Sequence, residues 1–286
     1  MRHPFTIILC LSGALGISAC DQARGTNEVD RAISAVNAVD QNNLSDIMLT
    51  VADPNEAVTY FKRSVKEDPD RIDLQRGLAT SLVRASRPTE AVPVWRKVSA
   101  HPEATNDDHV DLADALIRTG AWDDADKVLD AVPPTFETFK RYRLEAMVAD
   151  SNKEWKKADS FYEIAVGLTT RPAGVLNNWG YSKLTRGDFT EAERLFSDAI
   201  RNDEKLFTAK NNLVLARGAQ RNYSLPVIPM TQTERAQLLH TLGLSAVKQG
   251  DVSTGKGLLR DAIDTHPQHF EAAVRSLRAL ESNVSN

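Results

Sequence analysis

The stretch Leu176-Asn177-Asn178-Trp179-Gly180, followed by Gly187-Asp188-Phe189 and then by Ala192, Phe196 and Ala199, decides the fold. Ala192, Phe196 and Ala199 stand at i, i+4 and i+7, which places them on one face of a helix. The small residue lets a neighbouring helix approach, the large one fills the groove and the third continues the stripe. Gly187, in the polar turn Arg186-Gly187-Asp188-Phe189, supplies the left-handed backbone that ends the first helix before the second begins. The stretch therefore reads as two helices joined by a tight turn.

The same pattern recurs on both sides. Alanines at 57, 91, 125, 158 and 192 are spaced 34, 34, 33 and 34 residues apart. Each is followed four residues on by a large apolar residue (Phe61, Trp95, Leu129, Tyr162, Phe196) and at seven by Ser64, Val98, Val132, Ala165 or Ala199. Leu44, Leu78, Leu112 and Trp179 lie 13 residues before their alanines, each followed by a small residue. A second good copy is Leu242-Gly243, Gly250-Asp251, Leu259, Ala262 and Pro267, with Gly255 in the alanine position. Prolines 69, 102 and 172 fall where second helices must stop.

These residues resemble the tetratricopeptide repeat, a helix-turn-helix unit of about 34 residues. The resemblance implies an all-α superhelical solenoid of about six to seven units spanning 38–281. Units fall at about 38–71, 72–105, 106–138, 139–172, 173–206 and 236–269. A C-terminal capping helix with Phe270, Ala273, Val274, Leu277 and Leu280 at helical spacing follows, and 282–286 form a tail. Three departures stand out. Glu145 replaces the leucine of unit four, so its first helix is expected to be degenerate. Pro93 falls about four residues into a helix expected to begin near Thr89. After the helix from Phe207 to Gln220, Leu225-Pro226-Val227-Ile228-Pro229 stands where a partner helix belongs, and its prolines forbid a regular helix. That loop either packs its apolar side chains onto its own groove or offers them to a partner.

The amino-terminal end carries a different signal. Arg2 and His3 precede an uncharged, mostly apolar run from Phe5 to Ile17, then Ile17-Ser18-Ala19-Cys20, with Asp21 next. A short basic end, an apolar run and small residues at a cleavage point form an export signal, too short for a span of about 20 residues. The four residues ending at Cys20 resemble a bacterial lipobox, which implies a signal peptide over 1–19, lipidation of Cys20 and a tether over 20–37. An uncleaved anchor helix is the alternative. Loss of Arg2 with the signal would take the net charge from −4 to −5. Cys10 would leave with the signal, so no disulfide is expected. An exported, lipid-anchored protein facing the periplasm follows. The family resemblance below favours the outer membrane, while Asp21 fits retention at the inner one.

Chemistry is sparse. Hydrophobic residues make up 42% of the 286-residue chain, enough for a core. A net charge of −4 argues against nucleic acid as a partner. Two cysteines exclude a four-thiolate zinc site and a disulfide scaffold. No Gly-x-Ser-x-Gly, phosphate-cradling glycine loop or His-Glu-x-x-His is present. No catalytic residue, metal site, cofactor or small-molecule substrate is therefore expected. Pro267 separates His266 from His269, Asp107-Asp108 reads as a helix cap, and Trp95, Trp122, Trp155 and Trp179 read as core residues. Function is expected on the face lined by first helices. Arg143, Asn177, Asn211 and His240 align at one groove-facing position, Asn178 and Asn212 at the next, with Tyr181 one turn along. Paired amides suit the backbone of an extended peptide or a terminal helix.

The lipobox, the repeats, the Asn211-Asn212-Leu213-Val214-Leu215-Ala216 helix and the broken unit after it together resemble the TadD-type lipoproteins of the tight-adherence (Flp) pilus assembly system. The resemblance implies a non-catalytic adaptor or scaffold that assists the pilus secretin or other assembly components. The alternative is a repeat lipoprotein of general envelope biogenesis, in outer-membrane protein insertion or peptidoglycan-enzyme regulation.

Overall fold

A computed structural model describes residues 44–282. The expected signal peptide, Cys20 and the tether lie outside the described residues. The described part is helical, without strands. It forms two compact units, one ending at Glu103 and one beginning at Ala104.

The first unit holds α1 (44–50), α2 (Pro54–Glu67), α3 (Ile72–Arg84) and α4 (Pro88–Ser99). Asp53 caps α2 by accepting the amides of Asn55 (2.8 Å) and Glu56 (3.3 Å), and Pro54 opens the helix where its missing N–H costs nothing. Phe61 of α2 is 1% exposed and lies on Gly77 of α3, where a Cβ would come within 2.3 Å of the ring. The alanine stripe is at work here: Ala57 and Ala91 are fully buried, as are Phe61 and Trp95 beside them. Pro93 sits inside α4, five residues beyond Pro88, because the helix starts one residue earlier than its sequence suggests.

The second unit continues the hairpin pattern with α5 (Asn106–Arg118), α6 (Trp122–Asp130), α7 (Phe139–Ser151), α8 (Trp155–Gly167), α9 (Ala173–Thr185) and α10 (Phe189–Asn202). Then come the unpaired α11 (Phe207–Ala219), the hairpin α12 (Gln232–Lys248) and α13 (Val252–Thr265), and α14 (Glu271–Ser282). Ala125, Ala158 and Ala192, with Leu129, Tyr162 and Phe196, are buried at the hairpin cores. Thr105 caps α5 in a capping box whose acidic arm is Asp108: the Thr105 amide donates to Asp108 Oδ2 at 2.7 Å. On α14, Ala273 packs inward while Glu271, Arg275 and Arg278 face outward, as suits a terminal cap.

The turns that end first helices share one geometry. Ser86, Gly120, Lys153, Gly187, Arg221 and Gly250 all have φ between 58° and 86°. Each is followed by a residue whose amide bonds back five positions, as Asp188 does to the Lys183 carbonyl (2.9 Å) and Glu154 to Ala149 (2.8 Å). This is the closure of a Schellman motif. Only half of these positions are glycine.

The expected degeneracy of unit four is not realised. α7 is complete, and Glu145, 6% exposed, is matched one turn earlier by Arg141, whose Nε lies 3.3 Å from Glu145 Oε1. Arg141 Nη1 also donates to the carbonyls of Pro133 (2.7 Å) and Phe136 (3.2 Å). Burial still outweighs Arg141, so the Glu145 carboxyl sits above its ordinary range.

The broken unit keeps its turn and loses its helix. Arg221 takes the left-handed conformation, after which Leu225 and Ile228 pack inward and Val227 projects fully into solvent. The loop thus fills its own groove and presents one apolar side chain. α11 joins α12 directly: buried Lys210 reaches Glu234 Oε1 at 3.0 Å, and Val214 packs with Leu238 and Leu242. Thr231 and Glu234 close the capping box that starts α12.

Candidate functional site: the groove of the second unit

The groove is lined by the first helices of the hairpins together with α11 and α14. Its aligned polar residues meet one another laterally. Asn212 Nδ2 donates to Asn177 Oδ1 at 3.0 Å, Thr241 Oγ1 donates to Asn211 Oδ1 at 2.8 Å, and His240 Nε2 lies 3.1 Å from Ser276 Oγ. Arg143 reaches back to Asp114 at 3.6 Å. Asn178 Nδ2 makes only a long contact to Met147 sulfur at 3.9 Å. The amides are thus partly committed to tying successive first helices together. Burial lowers the His240 imidazole below its ordinary value.

A hollow of about 520 Å³ opens among α7, α9 and α11 and gathers Asn177, Asn178, Tyr181 and Asn212 of the expected set. Arg143, Asn211 and His240 do not line it. Its remaining wall includes Trp122, Trp155, Asp150, Ser182 and Tyr162. Tyr181 is 53% exposed and stands between this hollow and a second of similar volume, bounded by Leu184, Phe189, Leu215, Leu244 and Ser245. A half-exposed tyrosine flanked by two concavities is suited to contact rather than to packing.

Two acids organise the electrostatics. Asp159 on α8 accepts from Trp179 Nε1 (2.6 Å), Lys183 Nζ (3.0 Å) and Arg186. Burial opposes its charge, but these donors outweigh burial and hold the carboxyl below the ordinary range. Asp150, at the end of α7, accepts from Ser182 Oγ (2.6 Å) and Tyr162 hydroxyl (2.9 Å). There burial outweighs the hydrogen bonds and the carboxyl rises above its ordinary range. Burial likewise pushes up the Tyr162 phenol.

Trp122 and Trp155 correct the expectation that all four tryptophans are core residues. Trp95 is 3% exposed, but Trp122 and Trp155 are only half-buried and face the hollow. Each is the first residue of a second helix, directly after the turn, a position shared with Phe189 and Val252. That recurrence, 33 residues apart, is the signal by which sequence alone could have marked them. Among the described residues no group of three or more His, Cys, Asp or Glu is placed to hold a metal ion. His266 instead stacks on Phe270 at 4.8 Å, and His269 meets Glu271 at 2.9 Å.

No family model matches this sequence, and no curated protein does. Solved structures resemble it. The matched chain of the APC/C hetero-tetramer Cut9–Hcn1 is 14% identical with a TM-score of 0.59, over 80% of this chain and 46% of that one. Human IFIT1 bound to m7Gppp-AAAA is 15% identical with a TM-score of 0.57, over 82% and 61%. A tetratricopeptide repeat protein from Parabacteroides merdae is 13% identical with a TM-score of 0.55, over 84% and 96%. This chain thus spans about half the length of the Cut9–Hcn1 chain. Identities this low show the fold, and the fold is the tetratricopeptide-repeat solenoid.

Proposed function

We propose that this protein is a non-catalytic adaptor that binds a protein partner along the first-helix groove of its second unit. The observation that carries the reading is Tyr181, half in solvent between two hollows of about 520 Å³ each. An exposed ring beside such concavities is the arrangement that anchors partner side chains. The Asn212–Asn177 bond fixes part of the rim of the first hollow before a partner arrives, which lowers the ordering cost of binding.

The setting we propose is the cell envelope, with the chain anchored by lipid on Cys20 and serving tight-adherence pilus assembly, the secretin being the partner. Support comes from the lipobox-like Ile17-Ser18-Ala19-Cys20 and the Asn211-Asn212-Leu213 helix followed by a broken unit. A photoreactive group placed by Tyr181→p-benzoylphenylalanine should crosslink in cells to a single envelope protein. The same group in place of Lys127, on a second helix, should not. Crosslinks of equal yield from both positions would refute the groove reading, and a product other than a pilus-assembly component would refute the assignment to that system.

A further inference from the structure

The first hollow contains a carboxylate that forms no ion pair of its own. Asp159 has Lys183 and Arg186, and Asp114 has Arg118 and Arg143. Asp150, which lines the same hollow, has hydrogen bonds from Ser182 and Tyr162 but no cation within 4.0 Å among the described residues; the charge of Arg186, itself paired with Asp159, reaches it only from farther off. A carboxylate drawn partly out of water and left without a counter-ion is destabilised, and a cation arriving beside it removes that cost. The walls favour the same visitor. Trp122, Trp155 and Tyr181 offer aromatic surface, on which a cation gains attraction that grows as water is excluded. Arg186 already holds one such position, 5.4 Å from the Trp155 ring centroid, with its own charge met by Asp159. The whole chain carries a net charge of −4, which steers basic rather than acidic partners toward it.

We propose that this hollow is a socket for one basic side chain, lysine or arginine, of the partner protein. The cationic head meets Asp150 and the side-chain oxygens of Asn177, Asn178 and Asn212, while the aliphatic stem lies across Trp122, Trp155 and Tyr181. Long basic side chains divide in this way between apolar walls and a polar end. The assignment rests on the groove being the protein-binding face, and it adds which chemistry the groove selects.

The test uses the full-length protein in detergent and terminally blocked glycine-serine heptapeptides carrying one central arginine, lysine, citrulline or glutamate. Binding is followed by tryptophan fluorescence and by the NMR signals of the indole N–H groups. The arginine and lysine peptides should give saturable shifts in two of the four indoles, and the citrulline and glutamate peptides none. Asp150→Asn should weaken the arginine peptide about tenfold. Ser151→Lys, an exposed change at the rim, should tether an ammonium in the socket and abolish binding with no loss of melting temperature. Equal responses to arginine and citrulline, or undiminished binding by both variants, would overturn the socket. The two readings separate in cells. A Tyr181 crosslink that persists at full yield in Asp150→Asn overturns the socket while the groove stands. Absence of any Tyr181 crosslink in the unaltered background overturns the groove itself.

Discussion

Gly180→Ala sets two effects of opposite sign against each other. Gly180 is the eighth residue of α9, and alanine in a helix interior is favoured over glycine by about 1 kcal/mol. Against this, a Cβ at position 180 would lie 2.7 Å from Phe196 Cε1, 2.8 Å from Cδ1 and 3.1 Å from Cζ. Phe196 is 0% exposed and held among Leu176, Leu195, Ala209 and Leu213, so the ring has nowhere to move. Overpacking of this kind costs about 1–3 kcal/mol. The net expectation is a loss of about 1 kcal/mol. Gly257→Ala is the control: it lies inside α13, has nothing within 4 Å of a built Cβ, and should gain about 1 kcal/mol. The same substitution should therefore move stability in opposite directions, separated by about 2 kcal/mol. Urea unfolding followed by far-UV circular dichroism measures the difference. Native-state amide exchange over α9 and α10 locates it, which matters because repeat arrays need not unfold in one step. Adding Phe196→Leu should shrink the cost of Gly180→Ala, since the two residues share one contact. If Gly180→Ala stabilises as much as Gly257→Ala, the close approach of α9 and α10 does not constrain this site, and the packing argument fails.

Other outcomes follow from the same structure. Lys153→Gly should raise stability by about 1 kcal/mol, because a left-handed side-chain residue is strained and the exposed Lys153 side chain forms no ion pair among the described residues; an unchanged or lowered urea midpoint would contradict this. The raised carboxyl of Asp150 gives a pH signature: its folded-state value exceeds its unfolded one, so its contribution is fully present below the unfolded value and fades as pH rises through the folded value. Asp150→Asn should therefore gain on the unaltered protein as pH climbs from 4 toward 7, and a constant difference in melting temperature would contradict the burial argument. Cys20→Ala should end incorporation of labelled fatty acid and release the protein from the membrane fraction, whereas undiminished labelling would sink the lipid anchor.

Periodicity made the helical skeleton readable. Ala57, Ala91, Ala125, Ala158 and Ala192 are buried where a 34-residue recurrence places them, because one face per helix must meet its neighbour. What periodicity reports is which face a residue occupies, not what a polar side chain does there. Asn177 and Asn212, 35 positions apart, both line the hollow, yet no single-sequence pattern says that they bond to each other. Glu145 looked like a flaw because its match, Arg141, lies outside the repeat's own signature. Ser86, Lys153 and Arg221 escaped notice as turn residues because only glycine advertises a left-handed conformation. Trp122 and Trp155 read as core residues because they recur at repeat positions, whereas their place just after the turn exposes them to the hollow.

The unpaired α11 has a consequence for cooperativity. In a solenoid each element is stabilised almost entirely by its immediate neighbours, so the weakest junction sets where the array divides into folding blocks. Here a full helix is replaced by a loop that contributes Leu225 and Ile228, and continuity rests on Lys210–Glu234, the hydrogen bonds Thr241–Asn211 and Arg221–Gln249, and the small cluster around Val214. The block ending at α11 and the block beginning at α12 are thus coupled by fewer terms than any intact hairpin supplies. This junction runs beside the hollow that Tyr181 shares with Thr241 and Leu244. A partner seated across that hollow would act as a staple, raising the cooperativity of the array as well as occupying its groove.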